Sequence, residues 1–288
     1  MRISTTTGPL VRRVGFTKTI DILSDAGFDA LDFSASAEEF CTDVHNKDYY
    51  VELRKYAQDK GLVFNQSHAP HPSTFIDDEK NDERFAALVT AMKNASYLGV
   101  ETIIIHPAQH LEFHVPGNPE KLYEYNMEFY RKLIPYCEEY GIKMATENMW
   151  QYPGMISHST CSRPDEFKKY VDGVNSEWLV ACFDIGHSVL VREQPDEFIK
   201  QLGNKRLKCL HVHDVDGIDD SHTFPFNGIT MWDTVMKALA EIKYSGDLTF
   251  EVISPFEKCP AELIPLNAEF LAKTGKYLVS VFNKYCND

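Results

Sequence analysis

The feature that most constrains the fold of this chain is a steady alternation of short β-rich runs with helical stretches. The β-rich runs lie at 2–6 (RISTT), 30–34 (ALDFS), 62–67 (LVFNQS), 101–105 (ETIII), 143–147 (KMATE), 179–183 (LVACF), 207–212 (LKCLHV) and 247–252 (DLTFEV). Helical patterning fills the intervals at 17–26, 48–60, 81–98, 119–140, 164–172, 195–202, 231–243 and 261–284. Pro119, Pro164, Pro195 and Pro260 open four of these stretches, where a missing N–H is no loss. Gly27, Gly61, Gly99, Gly141 and Gly246 stand shortly before a strand, where helix C-caps fall. Strand–helix units at this spacing, roughly 28–42 residues, predict a (β/α)8 TIM barrel. A doubly wound open sheet normally uses fewer units, and no Gly-rich phosphate fingerprint follows the first strand. No Pro/Gly/Ser linker interrupts the 288 residues, so the reading is one domain over 1–288.

Active sites of such barrels are built where the strands end, and the ends of six successive strands carry histidines or carboxylates. The third ends on Gln66, His68 and His71, the fourth on His106 and His110, and the fifth on Glu147 and Asn148. The sixth gives Asp184 and His187, the seventh His211, His213 and Asp214, and the eighth Glu251. Glu147, Asp184 and Glu251 stand in apolar strands, where an ionised carboxylate is costly unless compensated. A divalent cation would compensate all three at once. A lone strand-end histidine is more often a hydrogen-bonded structural residue, and that bland reading holds for His68, His106 or His213 taken singly. The constellation changes the balance. His45, His110, His114 and His158 read as solvated surface. The pair Asp220 and His222, in the loop after strand seven, is either a metal-binding Asp-x-His or ordinary loop chemistry. Trp150, Phe75, Phe113 and Phe224 lie just past strand ends, where they wall a sugar pocket or simply pack.

Charge narrows the partners. With 29 basic and 43 acidic residues the net charge is -14, which leaves no electrostatic footprint for nucleic acid or an anionic membrane. No run approaches the roughly 20 apolar residues of a spanning helix, and the start MRISTTTGPLVRR has no signal-peptide core. The expectation is a cytoplasmic protein. Seven scattered cysteines without a Cys-x-x-Cys pair read as reduced thiols, with Cys182 and Cys209 as buried small hydrophobes.

ATEN around Glu147, FDIGH at 183–187, HVHDVDG at 211–217 and FEV around Glu251 together resemble the xylose-isomerase-like TIM-barrel superfamily. That group of sugar phosphate isomerases and epimerases includes ketose 3-epimerases, hydroxypyruvate isomerase, inosose dehydratase and endonuclease IV. The resemblance runs strand by strand over essentially the whole chain. In the epimerase branch it implies one divalent metal on Glu147, Asp184, His211 and Glu251, with His187 on the substrate. Two departures from the ketohexose epimerases leave the sugar open: 212–222 holds no arginine or lysine, and NMWQYPG stands where they carry a glutamate. DSHTFPFNG at 220–228 resembles an element of many uncharacterised sugar isomerase homologues. Endonuclease IV, by the same resemblance, implies a trinuclear zinc cluster on His68, His106, Glu147, Asp184, His187, His211, Asp220, His222 and Glu251. Against a duplex-binding enzyme stand loops such as SASAEEFCTDVHN, APHPSTFIDDE and DVDGIDDSH, which are acidic or neutral.

The expectation is therefore a metal-dependent isomerase or epimerase of a small carbohydrate. It would move a proton next to a carbonyl through a metal-stabilised enediolate. Glu147 and Glu251 would be acid and base, and Glu147, Asp184, His211 and Glu251 the metal ligands. His187, His68, His106, His213 and Trp150 would meet substrate. The oxygen-rich ligand set suits Mn, Mg or Co, and zinc if histidines join. A further metal would sit at His68/His106 or at His187/Asp220/His222. The alternatives are an endonuclease-IV-like zinc-dependent abasic-site nuclease, a metal-dependent polyol-ketone dehydratase, and an inactive sugar-binding barrel. Two retained glutamates count against the last. No nucleic-acid or membrane partner is expected, exposed helix faces leave room for a homo-oligomer, and the lack of a Lys/Arg/Gly cluster points to a free sugar.

Overall fold

The computed structural model of the protein describes residues 1–35, 38–151 and 158–287. The strands are β1 (Ile3–Thr6), β2 (Ala30–Ser34), β3 (Val63–His68), β4 (Thr102–Ile104), β5 (Lys143–Glu147), β6 (Leu179–Asp184), β7 (Leu207–His211) and β8 (Leu248–Phe250). All pair in parallel, in the order β7-β6-β5-β4-β3-β2-β1-β8. The two ends of that order meet as well. Val212 bridges Phe250, Val212 N–H donates to Thr249 O at 2.9 Å, and Glu251 N–H donates to Val212 O at 3.1 Å. The sheet thus curls into a nearly closed (β/α)8 barrel.

The connections are helical. They are α1 (Gly8–Val14), α2 (Phe16–Ala26), α3 (Lys47–Asp59), α4 (Asn81–Leu98), α5 (Asn118–Tyr140), α6 (Pro164–Gly173), α7 (Ile185–Leu190), α8 (Pro195–Arg206), α9 (Trp232–Glu241), α10 (Ser254–Lys258) and α11 (Ile264–Asn287). Gly27, Gly99 and Gly141 end α2, α4 and α5 in the left-handed region, as C-caps do. Gly246 is different. Its φ is not positive, and a Cβ there would run into the Lys208 carbonyl oxygen, so close approach rather than backbone freedom requires glycine.

Two apolar groups organise the interior. The large one, including Leu31, Phe33, Phe183, Leu210 and Phe250, lies between the strands and the helices. The small one, Ile104, Ala145, Val180, Cys182 and Cys209, plugs the inside of the barrel. Side chains two apart on a strand share a face. Two residues beyond Ile104, Ala145, Cys182 and Cys209 come His106, Glu147, Asp184 and His211. The plug therefore forms the floor, and these four side chains form the next layer up. Among the described residues, no helix is long and apolar enough to cross a membrane.

Candidate metal centre at the barrel mouth

Glu147, Asp184, His211 and Glu251 converge, with one ligand atom from each lying within 4.8 Å of the others. His211 Nδ1 is at the centre, 3.1 Å from Glu147 Oε2, 3.3 Å from Glu251 Oε2 and 4.0 Å from Asp184 Oδ2. Glu147 is 1% exposed, and Asp184 and His211 are 0% exposed. Despite this crowding, His211 Nδ1 is buried without a hydrogen-bond partner. Among the described residues, the ion pairs that reach Glu147, Asp184 and Glu251 come from histidines alone. Three carboxylates gathered in a buried layer with no lysine or arginine need a compensating charge. A donor set of three carboxylates and one imidazole fits a divalent cation.

Two histidine groups flank this one. On one side His68 Nε2 lies 2.9 Å from His106 Nε2, which lies 3.2 Å from Glu147 Oε2. On the other, Asp220 Oδ2 is 2.9 Å from His222 Nε2 and 3.3 Å from His187 Nε2. Backbone carbonyls decide which nitrogen each ring presents. A carbonyl only accepts, so His68 donates from Nδ1 to Ala69 O (2.9 Å), His187 to Asn148 O (2.8 Å) and His222 to Glu251 O (2.8 Å). Each neutral ring then turns a bare Nε2 into its group, which is the presentation a metal ligand needs. Without a cation, protons do this work. Burial opposes charge on His187, but Asp184 and Asp220 outweigh it and hold the ring well above the usual imidazole range. Burial likewise opposes charge on His222, and Asp220 pushes it up to about 9.

Short-range chemistry explains how the residues reach these places. Asp184 caps α7, its Oδ1 accepting His187 N–H at 2.6 Å. Asn148 ties β5 to β6 by accepting Asp184 N–H (2.7 Å) and donating to Asp184 O (2.8 Å). The loop that carries Asp220 and His222 folds around Asp214. Its buried carboxylate accepts N–H groups from Val215 (3.0 Å), Phe226 (2.9 Å), Thr230 (3.1 Å) and Trp232 Nε1 (3.0 Å).

A cavity of about 310 Å³ adjoins the centre, lined among others by His71, Phe75, Gln109, His110, Trp150 and Gln151. Two of its lining residues reach the flanking groups. His71 Nδ1 is 2.9 Å from His106 Nδ1, and Trp150 Nε1 donates to Asp220 Oδ2 at 3.2 Å. A larger cavity of about 570 Å³ is lined by Phe113, Tyr123, Arg163 and Glu166 among others. Several sequence expectations change here. His213 is 0% exposed and donates Nε2–H to the Asp184 carboxylate (2.9 and 3.1 Å to its two oxygens), so of a place behind a ligand or on the substrate it takes the first. His110 is not solvated surface. It is half-buried on the cavity, with Nε2 accepting Ile76 N–H at 3.2 Å. Phe224 packs on Phe256 and Phe270 at ring separations of 6.1 and 5.0 Å, away from the cavity that Phe75 and Trp150 share. Cys182, read as a plain hydrophobe, also stands beside Glu147 and His211. Asp32, unnoticed in the sequence, lies buried beneath the centre. Its signal was the one used for Glu147, a carboxylate within the apolar run ALDFS.

The chain matches the family described as xylose isomerase-like TIM barrel over residues 20–274. An uncharacterised protein of Methanocaldococcus jannaschii is 26% identical over 242 residues, covering 82% of this chain and 78% of that protein. The D-psicose 3-epimerase of Enterocloster bolteae is 25% identical over 254 residues, covering 82% of this chain and 76% of the epimerase. Among solved structures, the IolI protein with a bound zinc atom has the same fold, with a TM-score of 0.77 at 20% identity over 99% of each chain.

Proposed function

The chain belongs to the xylose isomerase-like TIM barrel family, and from that premise we propose a divalent-metal-dependent isomerase or epimerase of a small carbohydrate, with the whole chain as one catalytic domain. The observation that carries the proposal is the convergence of Glu147, Asp184, His211 and Glu251 around a buried imidazole nitrogen without a partner. The D-psicose 3-epimerase relative supports the reaction class, and the zinc atom of the IolI structure supports a metal. The four converging residues would hold the cation. When bound, it supplies Lewis acidity toward charge developing on a carbonyl oxygen. Glu147 and Glu251 share the proton work next to that carbonyl, one taking and the other returning it. Glu251, with its side chain 13% exposed, is the member nearer solvent, and Glu147, at 1%, lies deeper.

The adjoining cavity supplies the sugar site in this reading. Trp150 and Phe75 offer apolar walls, while His71, His110, Gln109 and Gln151 offer hydrogen bonds. Among the described residues its lining includes no lysine or arginine, which favours an unphosphorylated sugar. Mn, Mg or Co suits the oxygen-rich central group, and zinc suits the flanking histidines. The flanking groups also favour a second reading, an endonuclease-IV-like nuclease with cations at His68/His106/Glu147 and His187/Asp220/His222. The net charge of -14 weighs against it. Exposed Phe226, Ile229, Met231 and Tyr277 support a homo-oligomer, and the free cysteines support a cytoplasmic enzyme.

The test is solvent-deuterium exchange. Metal-loaded protein is incubated with ketohexoses in D2O, and label and epimer are followed by NMR. Exchange and epimerisation are expected in the native protein, with loss of at least about 100-fold in Glu147→Gln and Glu251→Gln. Metal content is measured alongside. Normal turnover in either metal-loaded variant sinks the acid–base assignment, and full turnover after exhaustive chelation sinks the role of the metal.

A further inference from the structure

His211 turns its second nitrogen away from the central group, toward another buried carboxylate. Its Nε2 lies 3.9 Å from Asp32 Oδ2. Both residues are 0% exposed, and His211 Nε2 and Asp32 Oδ1 have no hydrogen-bond partner. Gln66 Nε2 donates to Asp32 Oδ2 at 3.3 Å and fixes one edge of the carboxylate. A separation of 3.9 Å is too short to admit a water between the two atoms, and about 1 Å longer than a hydrogen bond. A small side-chain shift closes it. The orphaned Nε2 then gains an acceptor, and a buried carboxylate with a single donor gains a second.

Asp214 shows what a purely structural buried carboxylate looks like in this molecule, with four N–H donors gathered around it. Asp32 has a single side-chain amide at 3.3 Å and faces an imidazole instead. A neutral imidazole carries one proton. If that proton is on Nε2, then Nδ1 is bare, and Nδ1 is the atom 3.1 Å from Glu147 and 3.3 Å from Glu251. Cys182 also adjoins His211, but a thiol is a weak acceptor beside a carboxylate. We propose that Asp32 is a positioning residue for the central group: its carboxylate accepts the Nε2–H of His211 and so holds a bare Nδ1 toward Glu147, Asp184 and Glu251. The inference rests on reading that group as a cation site. It assigns Asp32 no contact with substrate.

The test uses Mn²⁺ as probe, its binding to the metal-stripped full chain followed by electron paramagnetic resonance. Asp32→Asn keeps the shape, but its amide can offer either a donor or an acceptor to Nε2, so it no longer selects the tautomer. The expected result is affinity weakened by about 10–100-fold, with no fall in the thermal midpoint of the metal-free protein. Asp32→Ala, which removes the acceptor outright, is expected to lose at least as much. Native affinity in both variants overturns the inference and leaves the proposed function standing. A metal-free midpoint that falls in step with affinity, or a variant that does not fold, assigns Asp32 to the fold and also overturns it. If the native protein itself takes up no Mn²⁺, the proposed function fails and the inference fails with it.

Discussion

Asp184 serves three neighbours at once: it accepts His187 N–H at the start of α7, it holds His213 Nε2 at 2.9 Å, and it faces His211 Nδ1 at 4.0 Å. That density makes residue 186 critical. A Cβ on Gly186 would meet the His213 ring, which is fully buried and has nowhere to retreat. Gly186→Ala is therefore expected to displace His213, take a hydrogen bond from Asp184, and destabilise the protein by about 1–3 kcal/mol through overpacking. Urea unfolding of the metal-free protein measures the second effect, and Mn²⁺ titration the first. Native values in both would show that His213 is free to move. At this scale the sequence was most legible where a residue contradicted its surroundings. Glu147, Asp184 and Glu251 announced themselves as carboxylates in apolar strands. His71 stood at a strand end without a role and His110 read as surface, because their cavity is made where three separate loops pack, and no local pattern records that meeting.

Elements obeyed the same logic. The eight strands were legible because each is a buried run bounded by turn chemistry, and their observed limits lie within two residues of the expected ones. The helices α1, α7 and α10 were not foreseen. They span 7, 6 and 5 residues, too short to show a helical period. The end of the segment NMWQYPG, from residue 152 on, lies outside the described residues. Helix α6 carries a pH-sensitive group away from the central site. Burial pushes the Glu166 carboxyl up to about 7, although Cys161 N–H donates to it. Its folded value is above its unfolded value, so between about pH 4.5 and 7 the native state holds a proton that the unfolded state has lost. Stability from this group is present below that window and declines as pH rises through it. Glu166→Gln keeps an oxygen for Cys161 N–H and removes the titration. The thermal midpoint of the variant is expected to gain on that of the native protein between pH 5 and pH 8. An offset that does not change with pH would refute the assignment. The loop 214–231 depends on one group in the same way. Asp214→Ala leaves four N–H donors unpaired, two of them in fully buried bonds, and about 2–4 kcal/mol of stability should be lost. Urea unfolding, with limited proteolysis to locate cleavage in 214–231, is the check, and a loss under about 1 kcal/mol would show that water replaces the carboxylate.

For the whole molecule the deciding quantity is charge at the mouth. The isomerase and nuclease readings share their strand ends, and all three ligand groups assemble, so ligand identity does not separate them. A nuclease must also grip a duplex, and that grip is made by cations facing phosphates, with affinity that falls steeply with salt. In this protein the net charge is -14, and several basic residues are already engaged with carboxylates. Arg12 pairs with Glu257 at 2.5 Å, Arg84 with Asp78 at 2.9 Å, Lys93 with Asp43 at 2.6 Å and Lys121 with Asp77 at 3.8 Å. Freeing them for phosphate would first expose the acidic partners to the same duplex. The adjoining cavity, about 310 Å³ and half-walled by Trp150 and Phe75, matches a small ligand. Zinc-loaded protein is therefore expected to show no binding to abasic-site duplex at about 0.15 M salt, measured by fluorescence anisotropy, and no strand cleavage. If cleavage is efficient, and is lost in His68→Ala and His222→Ala, then the flanking histidine groups are catalytic cation sites on DNA, and the isomerase reading gives way to the nuclease.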